Sequence, residues 1–440
     1  MSAKGIPCRV AKRMRFQASD GRRLTHYAFR FPAKFHPPVA RHLIEQFSER
    51  GHTILDPFCG SGTLLVEAAT LGRNAIGVDL DPVAAFVSRV KTTRPLPAAL
   101  DESAAMLEQL IAPHVRPLAE YEVRQFVDLT PRSFQSAITR LGLSVPAIPN
   151  ILHWFRRYVI IDLALIRAAI RNAPIPTTHR QIFLLCFASI IRGASNADPV
   201  PVSGLEVTSH MKRRDKDGRF INPFELFHVA LTRCLADFKV FRESAESDTT
   251  CRVIRGDAKS VSTRIRTPVD LVITSPPYHN AVDYYRRHTL EMYWLDLVAS
   301  HDQRLRLLPG YIGRPKIPAR HPLVCDGKLT STTALQWERR LRSTSQERAN
   351  SFKHYVVAMQ ATISQLAKLL DQGARAIFVV GKSSWNGERI PTTRLFEEIS
   401  ADAFRLESTY WYPLRNRYMS YARRNSESID REYVLVLKRY

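Results

Sequence analysis

Disulfide and metal–thiolate chemistry have no footing in this chain. Its six cysteines, Cys8, Cys59, Cys186, Cys234, Cys251 and Cys325, are scattered, with no C-x-x-C pair and no Cys/His cluster at metal-ligand spacing. Reduced thiols and no bound metal are the expectation. Long hydrophobic runs are also missing. The longest, Ile182 to Ile191 with Cys186 and Ser189 inside it, falls far short of the roughly 20 residues a membrane span needs and reads as a buried helix. The basic N-terminus lacks the apolar core of a secretory signal. Acidic residues are scarce: 41 Asp+Glu stand against 64 Lys+Arg, a formal charge of +23 over 440 residues. Such a field favours polyanions, nucleic acid first and an anionic membrane surface second. The 45% hydrophobic and 24% charged content is otherwise that of a folded protein, large enough for one domain with insertions or for two domains.

Two separated blocks carry a parallel α/β pattern. In "HTILDPFCGSGTLLVEAATLGRNAIGVDLDP" the pattern predicts a strand ending at Leu55, a glycine turn, a helix through about Leu71 and a strand from Ala75 to Val78. That is one βαβ unit. From about Ala98 to Glu246 the period becomes helical: Phe155, Tyr158, Ile161 and Leu165, then Phe224, Phe227, Leu231, Leu235 and Phe238, recur at three- and four-residue spacing. Strands are expected again at Arg252 to Ile254 and Leu271 to Ile273, followed by one aromatic-rich helix over 283–298. Residues 300–350, with many Arg, Pro and Ser, are expected to be loop-rich. The remainder predicts a helix near Tyr355 to Leu370, a strand from Ala376 to Val380, a helix near Thr393 to Ser400, and strands Glu407 to Tyr412 and Tyr433 to Leu437. The organisation is therefore α/β residues 21–97, a helical insertion over 98–248, and a second α/β part over 249–440.

"DPFCGSGT" falls where the βαβ unit turns from strand to helix, the place where nucleotide-like ligands bind in doubly wound sheets. Gly60 and Gly62 would let the backbone approach a ligand, and the helix after them offers free N–H groups to a carboxylate or phosphate. Leu65 occupies the position where a dinucleotide loop wants a third small residue, and no Gly-Lys-Ser/Thr follows, so neither the nicotinamide-type loop nor the P-loop applies. Asp56 before the turn could receive an ammonium, and Asp79 at the end of the next strand could hold ribose hydroxyls. S-Adenosylmethionine carries both groups. The competing reading is that the two aspartates only cap helices.

"TSPPY" at 274–278 ends a strand of the same sheet and should open on the same edge. An exocyclic amine of a base is a poor nucleophile because its lone pair is delocalised into the ring. Acceptors on the amine hydrogens localise that lone pair as the new bond forms, which stabilises the transition state selectively. The Ser275 hydroxyl and the Pro276 carbonyl are acceptors of this kind, Pro277 stiffens the loop, and the Tyr278 ring offers a face to a base taken out of the helix. By itself the segment could equally be a turn.

With these motifs the chain resembles the S-adenosylmethionine-dependent amino-group DNA methyltransferases, the N4-cytosine/N6-adenine group. "DPFCGSGT" is similar to the family's cofactor motif, and "TSPPY" to its catalytic motif in the Ser-Pro-Pro-Tyr form of N4-cytosine enzymes; adenine enzymes more often carry Asp or Asn in place of Ser275. "YAFRFPAKFHPPVARHLIEQF" resembles the segment before the cofactor loop, and "VIRGDA" the third cofactor strand. The resemblance implies a doubly wound Rossmann-like methyltransferase sheet. It implies Phe31, Lys34, Asp56, Phe58, Gly60, Gly62, Thr63, Asp79 and Asp257 around S-adenosyl-L-methionine, with Pro32 and Phe35 at the border. Ser275, Pro276, Pro277 and Tyr278 would be catalytic. Double-stranded DNA is the implied substrate, a cognate restriction endonuclease the implied partner, and the bacterial or phage-type cytoplasm, near the nucleoid, the implied location. The helical block at 98–248 departs from the family's common motif orders.

Two segments are candidates for reading DNA: the basic stretch "KRRDKDGR" at 212–219, read as a loop, and residues 300–350 with Arg304, Arg306, Arg314, Lys316 and Arg320. Asp283, Tyr284 and Tyr285 could line a base pocket, or Tyr285 could belong to a core stripe. "RNRYMSYARRN" mixes Arg with Tyr as a nucleic-acid face does. Three other readings compete. Attack on cytosine C5 would need a cysteine nucleophile, for which only Cys59 presents itself, inside the cofactor loop. An RNA base N-methyltransferase would share both loops. A non-catalytic nucleic-acid binder would keep the fold without the chemistry.

Overall fold

The computed structural model describes residues 11–16, 24–199, 204–279, 283–381, 383–385, 388–414 and 430–440. Five strands form a parallel sheet: β2 (Thr53–Asp56), β3 (Asn74–Asp79), β4 (Cys251–Arg255), β5 (Val269–Thr274) and β6 (Leu370–Gly381). A short edge strand, β1 (Lys12–Arg13), pairs parallel to β9 (Phe404–Pro413), and β10 (Arg431–Arg439) runs antiparallel between β9 and β6. The order is β1-β9-β10-β6-β5-β2-β3-β4. A separate hairpin joins β7 (Ser383–Trp385) to β8 (Glu388–Ile390).

Alternate side chains of the central strands feed two cores, which is why these strands read as continuous apolar runs. Leu55, Ile76, Val272 and Phe378 face the helix Gln346–Ala367 through Phe352, Val356 and Met359. Ile54, Ala75, Leu271, Ile273 and Ile377 face the opposite side, against α1 (Pro37–Phe47) and α2 (Thr63–Thr70) through Val39, Leu43, Leu64 and Ala68. The sheet is thus doubly wound and Rossmann-like. Its direction of build-up reverses between β2 and β5, so the loops leaving these strands flank one crevice at their carboxyl ends.

α3 (Pro82–Lys91) follows β3, and the chain returns to the sheet only at β4. Between them lie helices including Pro97–Ile111, Arg157–Asn172, Thr177–Ala194 and Pro223–Ser244. They share one hydrophobic core with Val83, Val87 and Val90 of α3 and with Leu290, Met292 and Trp294 beyond the proline loop. The run Ile182 to Ile191 lies inside this core, and no helix among the described residues is long and apolar enough to cross a membrane.

Three local expectations change. Residues 283–298 form two short helices, Tyr284–Arg287 and Thr289–Trp294, because His288 between them turns to hydrogen-bond Asp81. Residues 300–350 contain the helix Thr332–Thr344, started by a Ser331 side-chain cap, and the first turns of Gln346–Ala367, started by Ser345. Their buried faces set Thr333, Glu338, Asn350 and Ser351 among Ala334, Leu341, Ala349 and Phe352, which interrupts the apolar period. The "KRRDKDGR" stretch is mainly the helix Ser209–Lys216, capped by Thr208, and only its end turns as a loop. There Arg219 is buried, bonded to Asp215, Asn196 and the Ser195 carbonyl, so it is part of the frame and not free for phosphates.

Candidate active site

At the switch point the crevice widens into a cleft of about 850 Å³, counted to its open mouth. It brings together Phe31, Lys34, Phe35, Asp56, Phe58, Gly60, Thr63, Asp79, Asp257, Ser275 and Pro277, which the sequence singled out. Gly62, Pro276 and Tyr278 do not line it.

Each loop has a local cause. β2 ends at Asp56, whose Oδ1 accepts from Phe58 N at 3.1 Å and from the Thr274 hydroxyl at 2.7 Å. Thr274 is the first residue of "TSPPY", so one hydrogen bond ties the cofactor-type loop to the proline loop across the two adjacent strands. Both bonds fall on Oδ1, which leaves Oδ2 for a ligand. Asp79 holds the loop from the other side, Oδ2 accepting from Gly60 N and Oδ1 from Asp81 N, each at 2.9 Å. Burial, with the Asp79 charge nearby, pushes the Asp56 carboxyl up to about 7. Burial and then the charge of Asp81 push Asp79 up to about 7 as well.

The two glycines serve different neighbours. Both take positive φ, +50° at Gly60 and +74° at Gly62. A Cβ on Gly60 would stand 3.2 Å from the Phe31 ring, at the cleft wall. A Cβ on Gly62 would stand 2.7 Å from Ser88 Cβ on α3, so Gly62 permits helix packing and not ligand approach, which revises its expected role. Leu65, the residue too large for a dinucleotide loop, fits because Gly77 on β3 has no side chain there; a Cβ on Gly77 would lie 2.8 Å from Leu65 Cδ2. Gly62→Ala should therefore lower the stability by about 1–3 kcal/mol, read as a drop in melting temperature. An unchanged melt would show that α3 can yield.

Sequence reasoning missed several residues of this frame. Lys91, fully buried at the end of α3, donates to the Ser61 carbonyl at 2.6 Å, and burial drives its ammonium well below the ordinary range. A lysine in a basic helix end carries no outward sign of this. Asp81 caps α3 through Oδ1 and accepts from His288 Nδ1 (2.9 Å) and the Tyr311 hydroxyl (3.0 Å) through Oδ2. Burial opposes its ionisation, but His288 and these donors outweigh it and hold the carboxyl below its usual range. Only the Asp-Pro pair of "DLDP" hints at this cap. Tyr311 and Ile312, which also line the cleft, come from the segment expected to be loop.

The other predicted positions are placed as follows. Lys34 lies over the Tyr27 ring at 4.0 Å and donates to the His26 carbonyl; burial lowers it to about 8. Asp257 caps the turn Ala258–Thr263 and pairs with Lys259 at 2.8 Å. Tyr284 lines the cleft and stacks on Phe31, centroids 6.0 Å apart at 25°. Tyr285 is core, packed on Tyr311 and covered by Arg304 at 4.2 Å. Asp283 caps its short helix. Arg306, Lys316 and Arg320 are exposed. "RNRYMSYARRN" lies outside the described residues. Cys59 is buried against Ser88, and burial pushes its thiol well up, the opposite of an activated nucleophile. Among the described residues no group of three or more His, Cys, Asp or Glu is arranged to hold a metal ion.

The donor set suits S-adenosyl-L-methionine. Ser61 Oγ and Thr63 Oγ1 are buried without partners at the start of α2, beside free helix N–H groups, two carboxylates and an aromatic wall. A doubly wound sheet with this cleft at its switch point is a Rossmann-like architecture, and the cleft lining matches the groups that S-adenosylmethionine carries.

Residues 12–86 match the N6_N4_Mtase family model, described as DNA methylase. The type II methyltransferase M.MvaI of Kocuria varians is 22% identical over 468 residues, covering 97% of this chain and 93% of that protein. The type II methyltransferase M.BsoBI of Geobacillus stearothermophilus is 24% identical over 315 residues, 67% of this chain and 57% of that protein. Among solved structures, TrmN from Thermus thermophilus aligns at a TM-score of 0.30 with 11% identity, over 93% of this chain and 50% of that one. The family model covers the stretch that holds the glycine loop, and the relatives it accompanies are type II methyltransferases by name, the likeness that the motifs suggested.

Proposed function

We propose that this chain methylates the exocyclic N4 of cytosine in double-stranded DNA at a specific site, as the modification half of a restriction–modification pair. The observation that supports it most directly is the Thr274–Asp56 hydrogen bond, which sets Ser275 at the rim of the same cleft as the cofactor residues. Asp56 Oδ2 takes the cofactor's ammonium, the start of α2 with Ser61 and Thr63 takes its carboxylate, and Asp79 takes the ribose hydroxyls. Phe31, Phe35 and Phe58 cover the apolar parts, and Asp257 lies toward the adenine. The cofactor supplies an electrophilic methyl group. The Ser275 hydroxyl accepts from an amine hydrogen and so raises electron density on the attacking nitrogen. Cytosine over adenine rests on the Ser-Pro-Pro-Tyr form of the loop, in which Ser stands where adenine enzymes more often carry Asp or Asn.

The test is nucleoside analysis of DNA methylated in vitro with labelled S-adenosylmethionine. N4-methylcytosine is the expected product. N6-methyladenine would overturn the base assignment, and label entering only RNA would overturn the substrate.

Cofactor binding should also follow pH. Asp56 and Asp79 titrate near 7 in the folded chain, above the ordinary 3.8, so the unliganded fold holds extra protons between these values and loses stability as pH rises through that window. The ammonium of the cofactor needs the ionised Asp56. Affinity should therefore rise by up to about tenfold per unit from pH 6 toward 7 and level off above pH 8. Calorimetry gives the answer; an affinity that is flat across pH 6 to 8 contradicts the assignment.

A further inference from the structure

Arg219 belongs to the frame, but the cations just before it do not. The helix Ser209–Lys216 turns Met211 and Asp215 to one side, one turn apart. Met211 is buried, and the Asp215 carboxylate accepts from Arg156 at 3.1 Å and from Arg219 at 2.7 Å. With that carboxylate committed inward, Lys212, Arg213, Arg214 and Lys216 are exposed to solvent, and no side-chain partner among the described residues holds any of the four. Lys212 and Lys216 stand one turn apart, where like charges repel. A polyanion lying along the helix removes that repulsion.

The helix also has a fixed place beside the cleft. Buried Arg192 donates from Nη2 to the Gly204 carbonyl at 2.8 Å and from Nη1 to the Arg287 carbonyl at 3.3 Å. Arg286 donates to the Leu205 carbonyl at 3.3 Å and packs so closely that a Cβ on Gly204 would stand 2.9 Å from its own Cβ. Residues 204–208 are thereby stitched to the short helix Tyr284–Arg287, whose first residue lines the cleft. Thr208 completes the link: its hydroxyl donates to Asp198 at 2.8 Å and caps the basic helix at Met211 N. The chain from Leu205 to Ser209 reaches at most about 14 Å, and the helix adds about 12 Å. With one phosphate on each strand per roughly 3.4 Å, that reach covers less than one turn of duplex beside a base drawn into the cleft. We propose that Lys212, Arg213, Arg214 and Lys216 form a phosphate-binding surface for double-stranded DNA, holding the backbone next to the target base over the proline loop. Such contacts position the duplex and read no sequence. The inference rests on the reading of DNA as the substrate.

The test is salt-dependent binding of the full chain to a random-sequence DNA duplex, which needs no knowledge of the recognition site. Combining Lys212→Gln, Arg213→Gln and Arg214→Gln removes three exposed charges and keeps good helix formers. A control combines Arg266→Gln, Lys368→Gln and Arg405→Gln, equally exposed but at the amino ends of β5, β6 and β9, the sheet edge away from the cleft. The helix variant should bind about 10²-fold more weakly near about 0.1 M salt, and its slope of log affinity on log salt should fall by about 2 to 3, at about 0.9 for each lost phosphate contact. The control slope should change by less than about 1. Cofactor affinity of both should stay within about twofold of the parent. Equal slopes in helix variant and control overturn the proposal, because overall charge would then explain the loss. Should the triple variant not fold, Arg213→Gln against Arg266→Gln decides alone, with an expected slope change of about 1. A parent chain that binds duplex RNA and not duplex DNA removes the substrate reading and this surface together. A parent that binds DNA steeply, with a helix variant that matches it, removes the surface alone.

Discussion

Ser275→Ala is expected to reduce methyl transfer by roughly 10²-fold while leaving the affinity for S-adenosylmethionine within about twofold. The separation follows from where the serine lies. Its hydroxyl lines the cleft but takes no part in the bonds that shape the cofactor loop, which run through Thr274, Asp56, Asp79 and Lys91. What the mutant loses is an acceptor that matters more as the amine begins to carry positive charge. Single-turnover rates beside calorimetric affinities read the two effects apart. Normal turnover would remove Ser275 from the mechanism; a parallel collapse of affinity would make it a cofactor residue.

Asp79→Ala should act in the opposite place, weakening cofactor binding by roughly 10²-fold. Two effects combine in that figure. The carboxylate proposed to hold the ribose disappears, and Gly60 N and Asp81 N lose the acceptor that holds both turns. Asp79→Asn keeps the shape and one acceptor oxygen, so it should lose only about tenfold. If the alanine variant bound the cofactor normally, Asp79 would be a turn residue alone, the capping role that the sequence left open.

The parts of the site that were legible are those in which chemistry and chain order coincide. "DPFCGSGT" and the next strand place Asp56, Gly60 and Asp79 within one βαβ unit, where periodicity and turn residues speak for themselves. "TSPPY" announces a stop after an apolar run. The illegible parts depend on partners far away in sequence. Glu432 meets Tyr278 across 154 positions, and His288 meets Asp81 across 207, so no local pattern reports either bond. Lys91 and Arg219 are cations in frame positions, where charge misleads because burial with hydrogen bonds is invisible in composition. The helix Thr332–Thr344 and the first turns of Gln346–Ala367 hide for another reason: Thr333, Glu338, Asn350 and Ser351 sit among the apolar residues of their buried faces and break the period. Gly62 shows a third limit, since a glycine in a ligand-binding loop turned out to answer to Ser88.

The shared core around α3 has a consequence for how the molecule opens. One face of α3 is embedded with Phe183, Phe187 and Ile191 of the long insertion helix, and its last residue is pinned to the glycine loop through Lys91. The cleft and the insertion therefore share one core and should open together, as one cooperative unit. Ligand occupying the glycine loop should slow amide hydrogen exchange in Thr177–Ala194 as well as in α2, and trimming the insertion should cost the cofactor site its support.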